Sequence, residues 1–179
     1  MTVHILIATA GVLPTSPVAD LIRQFLPEGG QVSVVTVIEV PRSFLDGLES
    51  DSWHPFSEDT ERSDRASALV ERYVEERGRK LAEPVMAALG SRGIEANPIF
   101  VEGTDRAAAI CETAEQVEAD LILMGATRRL FGEGAWESIS GQVMQRTHLP
   151  LLLVSGAPRP AEERDSEDPT IGAHETSDA

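Results

Sequence analysis

The sequence predicts an α/β protein: a five-stranded parallel sheet with helices on both faces. Two observations predict it. Short, continuous apolar runs recur along the chain, and strands covered on both faces read that way. Segments with apolar residues at helical spacing separate them, giving strand, helix, strand, helix, strand, helix, strand, helix, strand. Right-handed crossovers turn that order into a parallel sheet with helices packed above and below.

Each element has its own warrant. "VHILIAT", residues 3–9, is the first apolar run. Ser16 then offers an N-cap and Pro17 a first helical position. Val18, Leu21, Ile22 and Phe25 follow on one stripe, and Pro27, Gly29 and Gly30 stop the helix. "QVSVVTVIEV", residues 31–40, is a β-branched second strand. Pro41 opens an acidic stretch, residues 41–63, that includes Trp53, His54, Pro55 and Phe56 and reads as an irregular insertion. A long helix is expected over about 64–91, with Leu69, Val70, Tyr73, Val74, Leu81, Val85, Ala88 and Leu89 as its stripe. Pro84 lies inside it, where a backbone hydrogen bond is lost and helices kink. Residues 94–103 form the third strand; Thr104 is the expected cap of a helix presenting Ala107, Ile110, Cys111, Ala114 and Val117. "DLILMG" is the fourth strand. A helix over about 138–148 is expected to bury Ile139, Val143 and Met144; Pro150 ends it and "LLLV" is the fifth strand. The folded domain then spans 1–156. Residues 157–179, dominated by Pro, Glu, Asp and Ser, read as a disordered acidic tail.

Charge and cysteine content narrow the function classes. The 179-residue chain carries 30 acidic against 15 basic residues, a formal net charge of -15. Such a surface repels nucleic acid and anionic membranes. It also suits high salt. One cysteine, Cys111, excludes an internal disulfide or a multi-cysteine metal site, and a reducing cytoplasmic setting is the simple expectation. The start lacks the basic region of a signal peptide, and no apolar run approaches the roughly 20 residues that span a bilayer. His4, His54, His148 and His174 are scattered without metal spacing. Cys111, on an apolar helical face, reads as a small buried hydrophobe rather than a redox sensor.

In doubly wound sheets ligands bind beyond the carboxyl ends of the strands, where the strand order reverses. The loops there are residues 10–15 and 125–137. The second, with Arg128, Arg129, Gly132, Gly134 and Trp136, has the outline of a phosphate-cradling turn.

Four stretches, "ILIATAG", "VSVVTVIEVP", "VEGTDRAAAICETAEQVEADLILMGATRR" and "SISGQVMQRTHLPLLLV", resemble the universal stress protein family, the third most specifically. The resemblance implies strand order 3-2-1-4-5. It also implies homodimers that pair through the last strand, here Leu151, Leu152, Leu153 and Val154. Nucleotide-binding members carry an aspartate after the first strand and a phosphate loop of Gly, two residues, Gly, nine residues, Gly and then Ser or Thr. Glycines let the backbone approach phosphate, and the N–H groups of a helix start supply positive potential.

This chain keeps part of that pattern. Gly125 matches the first glycine, Arg128 stands at the second, Glu137 at the third, and Ser138 at the hydroxyl, with the loop one residue short. Ala10 replaces the aspartate; Thr9, Val37, Met124, Thr127 and Ile139 fall at other contact positions. A carboxylate at Glu137 would oppose phosphate by about 1 kcal/mol or more at close range. Arg128 and Arg129 could offset this as phosphate ligands or pair with Glu133 or Glu137. Ser138 and Ser140 could meet phosphate or simply cap a helix.

The expectation is therefore a non-catalytic regulatory module with a degenerate nucleotide site and no tightly bound cofactor. The alternative is a switch that binds ATP, ADP or AMP through a modified loop, weakly if at all. A protein partner such as a transporter or sensor kinase follows from the family; nucleic acid and membrane insertion do not. Catalysis lacks a chemical basis: "AGVLPTS" after the first strand holds no His, Lys or carboxylate, and Glu102–Gly103 stand where a phosphoryl receiver needs aspartate.

Overall fold

In this computed structural model of the chain, residues 2–45, 59–126 and 138–155 are described, with 59–64 described by backbone alone. The elements are β1 (His4–Ala8), α1 (Thr15–Phe25), β2 (Gln31–Ile38), α2 (Asp59–Gly90), β3 (Asn97–Glu102), α3 (Arg106–Gln116), β4 (Leu121–Ala126), α4 (Ile139–Arg146) and β5 (Leu151–Ser155). A single helical turn at 42–45 follows β2. The five strands are all parallel and lie in the order β3-β2-β1-β4-β5.

Registers fix the centre. β1 pairs Ala8 with Val35 of β2 on one side and with Met124 of β4 on the other. Ile5, Leu6 and Ile7 are all buried, because a central strand is covered on both faces. One face carries Ile5, Ile7, Val34 and Leu123 against Val18 and Ile22 of α1 and Val85 and Leu89 of α2. The opposite face sets Leu6, Ala8, Val35, Ile122 and Met124 against Ala107, Ile110 and Ala114 of α3 and Val143 of α4. A smaller cluster of Ile38, Val40 and Val74 extends the first face, with the Phe44 and Tyr73 rings 4.8 Å apart.

Polar ties join the layers. Arg92, after α2, grips Asp20 of α1 through Nε to Oδ1 at 2.7 Å and Nη2 to Oδ2 at 3.1 Å. At the amino end of the sheet, the His4 ring lies 2.7 Å from the Val117 carbonyl and 2.9 Å from the Ser33 hydroxyl. His4 is thus a structural brace, the role its isolation in the sequence suggests. Cys111 is half-buried on the second apolar cluster, and desolvation pushes its thiol pKa up, away from the reactive thiolate.

Several local expectations are corrected. α1 starts at Thr15, not after a Ser16 cap; the Pro14 carbonyl accepts from Val18 N at 3.1 Å and no side chain caps the helix. Pro17 is tolerated because first-turn N–H groups have no intrahelical acceptor. Asp105, rather than Thr104, caps α3: its Oδ1 accepts from Ala108 N at 3.0 Å. α2 begins at Asp59, earlier than expected, and continues through Pro84. β3 is shorter than its apolar run and begins at Asn97. Phe25 is 65 % exposed because Leu26, one residue on, takes the place against the core. Met144 is also exposed; the inward face of the short α4 is already filled by Ser140, Gly141 and Val143. Leu69 is exposed on α2 as well.

Candidate functional site

The strand order reverses between β1 and β4. The chain leaves β1 through α1 toward β2 and leaves β4 through α4 toward β5, on opposite faces of the sheet. The carboxyl ends of the two strands therefore part around an opening. Its floor is Ala8, Thr9 and Ala10 from the end of β1 and Met124 and Gly125 from β4. β2 contributes Val35 and Val37, and the helix side is closed by Ile110 and Arg106 of α3 and Ile139 and Ser140 of α4. Val12 and Leu13 come over from the β1–α1 loop. The cleft encloses about 170 Å³ and is mostly apolar.

Local chemistry holds these walls. Thr9 Oγ1 accepts from Gly11 N at 3.0 Å, and Gly11, at φ 85°, takes the left-handed turn that sends the loop back over the sheet. That turn buries Leu13. A Cβ placed on Gly125 would lie 3.4 Å from Leu13 Cδ2, in ordinary contact, so Leu13 stands across from the glycine with room for about a methyl group between them. At the start of α4, Ser138 Oγ accepts from Gly141 N at 3.1 Å and lies 3.2 Å from Ser140 Oγ. At the start of α3, Asp105 caps with one carboxylate oxygen and accepts from Arg146 Nη1 with the other at 2.7 Å. The backbone N–H of Ala108 first, and then Arg146, hold the Asp105 carboxyl below its ordinary pKa. The two helices that roof the cleft are thereby clamped together.

Six of the residues picked from sequence, Thr9, Ala10, Val37, Met124, Gly125 and Ile139, come together around this one cleft. Ser138 caps α4 beside it. Thr127, Arg128 and Glu137 lie outside the described residues, as do Arg129, Gly132, Gly134 and Trp136. Sequence reasoning reached Val12 and Leu13 only as part of the 10–15 loop and missed Ala8, Val35, Ile110 and Arg106. Arg106 and Ile110 are four residues apart at the start of α3, a spacing that puts both on one helix face, and that was the available signal. Among the described residues no group of three or more His, Cys, Asp or Glu could hold a metal ion.

The architecture is that of an open doubly wound α/β domain with its cleft at the reversal of strand order. The model of the universal stress protein family matches residues 1–155, and the chain belongs to that family. Universal stress protein Sll1654 of Synechocystis sp. is 37% identical over 76 residues, which are 42% of this chain and 48% of that protein. The chain thus aligns with about half the length of that relative. The structure of hypothetical protein MJ0577 shares the fold at a TM-score of 0.58, with 21% identity over 89% of this chain and 99% of that one. A universal stress family protein from Burkholderia pseudomallei matches at a TM-score of 0.51, with 20% identity over 84% and 94% of the two chains. An Arabidopsis thaliana family member, solved with AMP bound, matches at 0.51, with 13% identity over 92% and 97%.

Proposed function

We propose that this chain is a non-catalytic regulatory module whose nucleotide cleft is reduced, so that adenine nucleotides are held weakly and ATP is not held tightly. The observation that carries the reading is the small size of the cleft, about 170 Å³, with Leu13 on its wall facing Gly125. Small-molecule pockets run from roughly 300 Å³ upward. Ala10 lines the floor where nucleotide-binding relatives place a carboxylate, and no acid lines the cleft among the described residues. Among the described residues the cleft presents no aligned base or nucleophile with which to run acid–base chemistry, which supports the non-catalytic reading.

Regulation then works through protein contacts. β5 is the sheet edge, and its Leu151, Leu152, Leu153 and Val154 are only half-buried within one chain. We infer that this edge pairs with a second copy, covering apolar surface and unpaired backbone together. A membrane transporter or a sensor kinase is the kind of partner the family resemblance suggests.

Native mass spectrometry of the purified chain tests both parts. The expected result is a dimer without retained nucleotide. Addition of ATP at about five times a millimolar dissociation constant should then stabilise by only about 1 kcal/mol. The second reading is a nucleotide switch, favoured by AMP in the Arabidopsis protein of the same fold. Co-purified ATP, ADP or AMP, or micromolar affinity for any of them, would establish it and reject the first.

A further inference from the structure

We propose that Arg106 is a specificity-determining residue of the cleft and selects a nucleoside carrying one anionic group. The inference rests on the reading that the cleft takes adenine nucleosides weakly. It starts from a juxtaposition. Arg106 and Ile139 line the apolar cleft and also a polar groove of about 530 Å³ beside it, whose other walls include Glu39, Thr104, Asp105 and Gln142. Arg106 therefore stands on the partition between an apolar hollow and a polar one. A ligand that fills both has an apolar planar body and a polar end, and the side chain at their junction is a cation.

Arg106 is also uncommitted in a way the paired arginines around it are not. Arg92 and Arg146 make hydrogen-bonded ion pairs with Asp20 and Asp105, each with a contact of 2.7 Å. Arg106 Nη2 lies 3.6 Å from Glu39 Oε2, beyond hydrogen-bond distance, and both side chains are about half exposed. A guanidinium has five donors in a planar fork suited to phosphate. Glu39 holds this one loosely at the mouth and competes with any incoming anion for it.

Charge decides how many anionic groups the ligand carries. The chain bears a net charge of -15, so every further negative charge on a ligand works against the field of the whole molecule. Among the described residues Arg106 is the arginine that lines the cleft, and it repays one anionic group. The ligand class is a nucleoside with a single phosphate, in preference both to the uncharged nucleoside and to a triphosphate.

The test uses the full chain with the Met124 methyl as a carbon-13 reporter in the cleft floor, titrated with adenosine and with AMP. Wild type should bind AMP about tenfold more tightly than adenosine, the size of one charge-assisted contact. Arg106→Gln should bring AMP to the adenosine level and leave adenosine within about twofold. Glu39→Gln, which frees the guanidinium, should tighten AMP and leave adenosine unchanged. If Arg106→Gln weakens both ligands alike, or neither, or if Glu39→Gln weakens AMP, the inference fails while the cleft reading stands. If adenosine and AMP both leave the Met124 signal unmoved at about 10 mM, the cleft reading itself fails and the inference goes with it. Circular dichroism of the two variants, expected to match wild type because both side chains lie at the rim, separates loss of contact from loss of fold.

Discussion

Thr36 is fully buried in β2, and its hydroxyl has no hydrogen-bond partner. The other buried hydroxyls are spoken for: Ser33 meets the His4 ring, Thr113 donates to the Ala109 carbonyl at 2.7 Å, and Ser140 lies against Ser138. Thr36 points to the face that carries Val34 and Ile38, where only apolar side chains were needed. An unmet buried hydroxyl costs about 1–3 kcal/mol, whereas valine has the same shape and no polar atom to desolvate. Thr36→Val should therefore stabilise the protein by about 1 kcal/mol, raising Tm by about 2–4 °C for a chain of this size. Calorimetry checks it, and a lower Tm would show that the hydroxyl is in fact satisfied. The same scale shows what the sequence could and could not convey about the site. Thr9 and Met124 were picked from the family resemblance, whereas the loops opening at Ala10 and Gly125 were legible because ligands bind beyond the strand ends where the strand order reverses. Arg106 was not, since a charged residue in the first turn of a helix ordinarily means solvent. Its spacing to Ile110 puts both on one helix face, but that this face closes the cleft follows from the packing of α3 against β2, which the spacing alone does not give.

Elements meet where small residues permit it, and α2 on β3 is the sharpest case. A Cβ built on Gly78 would lie 2.7 Å from Phe100 Cγ and 3.1 Å from Phe100 Cβ. The ring base, not a movable tip, occupies the space, so the helix rests on Phe100 through the missing side chain. Two effects oppose each other in Gly78→Ala. Helix propensity favours alanine by about 1 kcal/mol. Overpacking a filled interface costs about 1–3 kcal/mol. The contact is closer than any unstrained Cβ tolerates, so overpacking wins and the variant should be destabilised by about 1 kcal/mol net. Phe100→Leu in the same background should restore part of that loss, giving a measurable coupling in a urea double-mutant cycle. Additive losses would mean the two residues do not meet. At this scale the sequence was most informative. The sheet's apolar runs and the two helices on each face were readable because continuous burial leaves continuous hydrophobicity. Helix starts were less so: Ser16 and Thr104 are good caps by type, but the Pro14 carbonyl accepts from Val18 N and Asp105 Oδ1 from Ala108 N, and those contacts set the actual boundaries. Arg146, which holds the other oxygen of Asp105, lies 41 positions away and is invisible to a window.

Charge belongs to the whole molecule. With 30 acidic and 15 basic side chains, pairing every cation would still leave half the carboxylates without a partner. The ion pairs found among the described residues are largely exposed, including Arg72–Glu76 and the Arg79–Glu75 pair on α2. Each such pair is worth about 0.3–0.5 kcal/mol and weakens in salt. Repulsion among the surplus acids also weakens in salt, and it sums over many more partners. The Debye length falls from about 30 Å at 0.01 M to about 10 Å at 0.1 M and about 3 Å at 1 M, so the long-range repulsion is screened first. Net charge this far from zero destabilises the compact state. Tm should therefore rise between about 0.01 M and 0.5 M sodium chloride, by several degrees, instead of falling as a structure held by surface ion pairs would. The paired copies proposed at β5 sharpen the expectation, because bringing together two chains of the same sign doubles the repelling charge. The dimer dissociation constant from sedimentation should fall over the same salt range. A Tm that drops steadily with salt would place the ion pairs, not the excess acid, in control. A dimer that loosens while Tm rises would mean that β5 does not hold the copies through apolar contact.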